Sequence, residues 1–191
     1  MIITIARQCG CMGDQIGKAL AEKYFIPFYD KDAVCRLAKE KGLYEKYPYF
    51  YGEMPLDMML YADTMAGDDT SDNGKTPRKA MADIIGNENC VVVGRCGNNA
   101  FRHREDVISV FLTGNKEKRA ELIEKKHNVS SKKAAKIVED TALRRRTYHN
   151  YYTGEEWGNA EYYDISIDVS KVGEDGALRL IEAYINETGV L

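Results

Sequence analysis

The stretch Ile2-Ile-Thr-Ile-Ala-Arg-Gln-Cys-Gly-Cys-Met-Gly-Asp-Gln-Ile-Gly-Lys-Ala-Leu-Ala21 decides how the rest of the chain is read. A β-branched apolar run, Ile2 to Ile5, leads into a loop holding Gly10 and Gly13. A helical pattern follows, with Ile16, Leu20 and Ala21 on one face. Strand, glycine-bearing loop and helix make an anion site, because the first backbone N–H groups of a helix lack partners and its dipole favours negative charge there. An ordinary βα turn has the same outline, and this stretch alone does not separate the two.

The standard phosphate loop reads Gly-x-x-x-x-Gly-Lys-Ser/Thr. Here the lysine position holds Gly13, the Ser/Thr position Asp14, and the two glycine positions Arg7 and Met12. The lysine for the β- and γ-phosphates and the hydroxyl for Mg²⁺ are both replaced. Asp14 brings negative charge to the anion site, and Arg7 returns positive charge from another direction.

Outward from this stretch, 191 residues with 44% hydrophobic content fit one domain with a sizeable core. A formal charge of −3 gives no global basic field, so nucleic acid is not expected as the main partner. No apolar run reaches the roughly 20 residues that span a bilayer. The chain opens directly on a strand with no export signal in view, so a cytoplasmic location is expected. Nothing in the residues fixes the oligomeric state, and a homo-oligomer stays open. Five cysteines do not suit a disulfide framework, and the lone Cys9-x-Cys11 pair, in a chain with three histidines, is not a zinc pattern.

Strands are expected at about 2–6, 25–29, 90–94, 107–112 and 164–168. Helices are expected at Lys31 to Lys41, Pro77 to Ile85, Lys116 to Lys126, from Ser131 towards Tyr148, and at Glu174 to Asn186. Between them Tyr44, Tyr47, Tyr49, Tyr51 and Tyr61 crowd a segment with Met54, Met58, Met59 and Met65. That segment reads either as a satellite hydrophobic cluster or as an aromatic wall for a planar ligand or partner. Gly67 to Thr76 is free of apolar residues and reads as a loop. Strands alternating with helices predict an α/β fold with a three-layer parallel sheet, whose ligands bind beyond the carboxyl ends of the strands. Arg7, Asp30 and Arg95 fall at three such ends.

These segments, in this order, resemble the cytidylate kinase-like family of phosphate-loop nucleoside monophosphate kinases over nearly the whole chain. The similar stretches are Ile3-Thr-Ile-Ala-Arg-Gln-Cys-Gly10, Ile26-Pro-Phe-Tyr-Asp30 with Arg36, Val93-Gly-Arg95, Val110-Phe-Leu-Thr-Gly-Asn-Lys-Glu-Lys-Arg119, Tyr151-Tyr-Thr-Gly154, Trp157-Gly158 and Tyr163-Asp-Ile-Ser-Ile-Asp-Val-Ser170. The resemblance implies a five-stranded parallel sheet with the first strand between the third and fourth, an acceptor region at about 30–76 and a lid at about 128–158 within one domain of 1–191.

It further implies a transferase moving phosphate from ATP, with Mg²⁺, to a nucleoside monophosphate or similar small acceptor. Arg7, Gly10, Cys11, Met12 and Gly13 would bind the donor phosphates. Asp30, Arg36 and Arg95 would bind the acceptor, and Asp30, Arg144 and Arg145 would be catalytic, with one or two of Arg144, Arg145 and Arg146 facing the site. Cytidylate kinases carry an Asp on each side of the Gly-Arg pair; here those positions are Val93 and Cys96. Asp30 also reads as a plain helix cap. Two other functions stay open: nucleotide or anion binding without catalysis, and thiol regulation through Cys9 and Cys11 activated by the helix N-terminus.

Overall fold

The computed structural model describes residues 1–52 and 76–190 of the chain. The positions Met54, Met58, Met59, Tyr61 and Met65, and the polar stretch from Gly67 up to Lys75, lie outside the described residues.

Five strands form one parallel sheet: β1 (Ile2–Arg7), β2 (Phe28–Tyr29), β3 (Cys90–Val93), β4 (Val107–Thr113) and β5 (Ile165–Asp168). Their order is β2-β3-β1-β4-β5, so the first strand lies between the third and fourth. Ile3 pairs with Val91 on one side and Ile108 on the other. The helices between strands are α1 (Gly13–Tyr24), α2 (Lys31–Glu40), α3 (Pro48–Gly52), α4 (Thr76–Ile85), α5 (Gly97–Phe101), α6 (Lys116–His127), α7 (Ser131–Thr153) and α8 (Val169–Thr188). A residue outside helical geometry, Gly173, breaks α8 (φ 71°, ψ −177°).

Both sheet faces are covered, which is why the strands are almost continuously apolar. One face packs Ile3, Ile5, Val91 and Val93 against Ile16 and Leu20 of α1 and Ile181 of α8. The other packs Ile2 and Val92 against Phe50, Tyr51, Met81 and Phe101. Successive side chains of a strand alternate between faces, so Thr4 shares the second face with Ile2. A smaller cluster of Cys9, Ile123, Ala134 and Val138 seats α6 and α7 beside the loop after β1. Tyr44, Tyr47 and Tyr51 take the satellite-cluster role, packing on the second core.

The second strand is shorter than the expected 25–29. Phe25 is left-handed (φ 54°) and closes α1, with Phe25 N–H donating to Glu22 O and Ile26 N–H to Ala21 O. Those residues finish a helix, and only Phe28 and Tyr29 remain for the sheet. Among the described residues no helix is long and apolar enough to cross a membrane.

Candidate functional site

A cleft opens at the carboxyl ends of β1 and β3 and runs under α7. β1 contributes Thr4 and Arg7, the turn after β3 contributes Arg95 and Cys96, α5 contributes Asn98, and α2 contributes Lys31. From α7 come Arg144, Arg145, Tyr148 and His149, with Trp157 beyond it. Five cationic side chains line this cleft, and among the described residues no carboxylate does. An anionic ligand is therefore the chemistry it suits.

The turn after β3 is strained. Arg95 and Cys96 are both left-handed (φ 55° and 51°), a conformation costly for residues with side chains. The turn swings Arg95 inward, where it is 4% exposed. Its Nη1 donates to Phe50 O at 2.6 Å and to Tyr148 Oη at 3.1 Å, and its Nη2 to Tyr51 O at 2.8 Å. Tyr148 in turn donates to Phe50 O at 2.8 Å. Burial pushes the Tyr148 phenol well above its usual range. Arg95 was expected to hold an acceptor phosphate with Arg36. Instead it clamps α3 to α7 while forming one wall of the cleft. Arg36 is exposed on α2 and is not among the residues that line the cleft. Asp30 does not line it either: its carboxylate accepts from Ala33 N–H at 2.8 Å as the N-cap of α2. The neighbouring Lys31 is the α2 residue that reaches the cleft.

On the loop side, α1 starts at Gly13, and Met12, left-handed before it, offers no side-chain cap. The first-turn N–H groups thus keep the anion-binding character expected of them. Asp14 stands in that turn and pairs with Arg7, Nη2 to Oδ1 at 3.1 Å. Arg7 is packed closely elsewhere too. A side chain on Gly13 would meet Arg7 Cγ at 2.7 Å, and one on Gly94 would meet Arg7 Nη1 at 2.7 Å. A lysine at position 13, where the standard loop has one, would displace Arg7.

The loop is held from outside by residues that sequence reading did not single out. Arg119 is 8% exposed and donates to Cys9 O at 3.2 Å and Gly114 O at 2.8 Å. Gln8 accepts from Thr113 Oγ1 and from Gly114 N–H.

Gly10, Cys11, Met12 and Gly13 line a second, open groove with α6 and α7. Arg144 and Arg145 line both the groove and the cleft, and Arg146 lines neither. Arg145 donates from Nη1 to Arg7 O at 2.8 Å, tying α7 to the end of β1. Arg144 is exposed and makes no hydrogen bond or ion pair among the described residues.

Thiol activation is not what the geometry gives. Cys9 and Cys11 are buried, and burial pushes the Cys11 thiol up to about 11, against the pull of Arg119. A thiol raised in this way is inert at neutral pH. Resemblance to a kinase family implies ATP and Mg²⁺ use in general; among the described residues no three His, Cys, Asp or Glu side chains stand together, so the ion would be held chiefly by the phosphates it accompanies, and Asp14, at the hydroxyl position, is tied to Arg7.

The model of the cytidylate kinase-like family matches residues 2–171. The chain belongs to that family. Among curated relatives, the cytidylate kinase of Pyrococcus horikoshii is 22% identical over 192 residues, covering 97% of this chain and 88% of its own. Among solved structures, an uncharacterised protein from Eubacterium ventriosum is 29% identical with a TM-score of 0.74, each chain covered to 98%. A gluconokinase from Sinorhizobium meliloti is 18% identical with a TM-score of 0.52, covering 97% of this chain and 95% of its own, and shares the fold. Membership of the cytidylate kinase-like family supports a nucleotide kinase-like function for the chain, and the sheet order is that of a kinase fold.

Within this family member, sequence reading also passed over Thr4, Lys31, His149 and Glu155. His149 and Glu155 are buried, at 4% and 8% exposure. The one available signal was two ionisable residues beside the Tyr-rich end of α7.

Proposed function

We propose that the chain is a phosphotransferase of the nucleoside monophosphate kinase type with slow turnover. The acceptor's phosphate sits in the cationic cleft, with residues 30–76 as the acceptor side and residues 128–158 as a lid. ATP would lay its phosphates along the loop between Arg7 and Gly13. The acceptor oxygen bonds to the γ-phosphorus as the β–γ bridging bond breaks, and ADP leaves. Mg²⁺ would arrive with the triphosphate and neutralise part of its charge.

The observation carrying this reading is the cleft itself: five cations and no carboxylate among the described residues, at the carboxyl ends of β1 and β3. Phosphoryl transfer needs positive charge preorganised around the transferring group and little else from the protein. Arg144, lining both cleft and groove, is the group placed to serve donor and acceptor together. Lys31 and Arg144 take the acceptor role that Arg36 was expected to fill.

A second reading, nucleotide binding with no turnover, is favoured by the Arg7–Asp14 pair. That pair removes the one strand-end cation able to stand in for the missing lysine. One experiment serves both readings. Trp157 is the chain's single tryptophan and lines the cleft, so its fluorescence reports occupancy. Titration with nucleoside mono- and triphosphates is expected to show monophosphate binding well ahead of ATP, and a coupled assay to show slow ADP release. Absence of monophosphate binding overturns both; binding with no ADP release leaves the second.

A further inference from the structure

Phe25 is out of place twice over. Its side chain is 94% exposed, the most of any large apolar residue described; Leu143 follows at 62%. Its backbone is left-handed (φ 54°) at the position that closes α1, where glycine is the usual residue because a β-carbon is strained there. Neither the local backbone nor packing within the chain accounts for a phenylalanine at this point.

The ring stands at a shallow groove of about 680 Å³ between α1 and β2. Ile26, Pro27 and Phe28 supply its apolar wall, and Lys18 and Glu22 of α1 supply one charge of each sign. Both charged residues are exposed, one turn apart, and neither makes an ion pair among the described residues. The Lys18 ammonium lies over the Phe28 ring at 5.7 Å from its centroid. One patch therefore holds a protruding ring, a hollow beside it, a cation and an anion. Two such patches related by a two-fold rotation complement one another, which is the requirement for an isologous contact.

We propose that this face is where two copies of the chain meet, each Phe25 seated in the groove of the other and each Lys18 set against the partner's Glu22. An extended peptide adding a strand is the poorer occupant. The sheet edge here offers only Phe28 and Tyr29, and Pro27 before them has no N–H to give. Two phenylalanine rings bury roughly 300–500 Å², and the walls they touch about as much again, which is the size of a weak and reversible interface. The face shares no lining residue with the cleft or with the loop groove. Pairing thus leaves each copy its own site, and the contact is independent of what the cleft binds.

Sedimentation of the full chain over a range of concentrations is the test. A monomer is expected at about 1 μM and mostly dimer at about 300 μM, as a dissociation constant of about 10–100 μM requires. Phe25→Gly should weaken the dimer at least tenfold. Because glycine is at ease in the left-handed region, the same variant should melt no lower than the unaltered protein at about 1 μM, so lost pairing is not lost folding. Lys18→Glu and Glu22→Lys should each weaken the dimer several-fold by facing like charges, and the double variant should regain most of the loss. That recovery is expected only where the face meets its own copy. A dimer indifferent to Phe25→Gly, or a double variant no better than the single ones, overturns the proposal. A chain that stays monomeric at about 300 μM overturns it too and leaves the face to an unlike partner.

Discussion

The two halves of the site are built from similar residues in opposite electrostatic states. On the loop side, charge is cancelled inside the protein: Arg7 is answered by Asp14 in the first turn of α1, and the lysine position is a glycine packed on Arg7. On the cleft side, Lys31, Arg95, Arg144 and Arg145 stand with Arg7 round a space lined by no carboxylate among the described residues, beside Thr4, whose buried Oγ1 lacks a partner. A loop that neutralises itself has little left for a triphosphate, whereas a cleft that gathers cations with no carboxylate on its wall among the described residues suits an anion. The comparison breaks if the cleft side proves to be mere structure, and it sharpens if the loop side can be repaired.

The largest effect tests whether a cleft arginine is structural. Arg95→Ala removes three hydrogen bonds, taking from the buried Tyr51 carbonyl its bond to Nη2 and leaving Phe50 O to Tyr148 alone. A loss of about 3 kcal/mol in unfolding free energy is expected, read by urea denaturation. Arg95→Lys should recover little of it, since an ammonium cannot span two carbonyls and a phenol as the guanidinium fork does. Unchanged stability in Arg95→Ala would mean that the arginine belongs to the ligand after all.

Arg144→Ala is the counterpart on an exposed residue. Its unfolding free energy should stay within about 0.5 kcal/mol of the unaltered protein, as for most surface changes. Turnover should fall about a hundredfold, the usual cost of removing one charge-stabilising donor from a reacting centre. Arg146→Ala, one residue along and lining neither cavity, should change neither quantity.

What the sequence allowed to be read divides along physical lines. The sheet was legible, because β-branched runs such as Cys90–Val93 are local signals and parallel strands buried on both faces need them. The position of Arg95 at a strand end was legible for the same reason. Its employment was not, since Phe50 and Tyr51 lie more than 40 residues upstream and nothing local announces that pairing. Asp30 shows the converse: a strand-end carboxylate and a helix cap are written alike, and only the bond to Ala33 N–H separates them. His149 was hidden because Glu155 reaches it from beyond Gly154, after α7 has ended.

A smaller effect follows from the pKa of that buried histidine. Its folded value is depressed, with burial as the main cause, Glu155 opposing and Arg102 assisting. Below the ordinary histidine value of about 6.5, the unfolded chain takes up a proton that the native ring resists. Stability contributed by the neutral ring is therefore full above about pH 6.5 and declines as pH falls through that window. Thermal denaturation between pH 7.5 and 5 should show the melting temperature dropping, and His149→Gln should flatten the drop between about pH 6.5 and the folded value. A slope identical in the variant would place the acid sensitivity elsewhere.

The smallest effect is on the loop side, where repair is attempted. Asp14→Asn keeps the shape of the side chain and removes its charge. Arg7 then loses its counter-ion, and the start of α1 loses an anion that its dipole favours, so stability should fall by about 0.5 kcal/mol. The same change exposes the Arg7 guanidinium to the first-turn N–H groups, the arrangement that a phosphate prefers. ATP affinity is expected to rise about threefold, most visibly at low salt, because screening weakens an exposed charge. Monophosphate affinity in the cleft should change less than ATP affinity, since the cations of Lys31, Arg144 and Arg145 remain. A rise in ATP affinity at a small cost in stability would show that Asp14 holds the donor side shut. If ATP affinity stays fixed while the stability cost appears, the charge cancellation at the loop is structural, and the contrast between the two halves comes from packing of Arg7 against Gly13 and Gly94 instead.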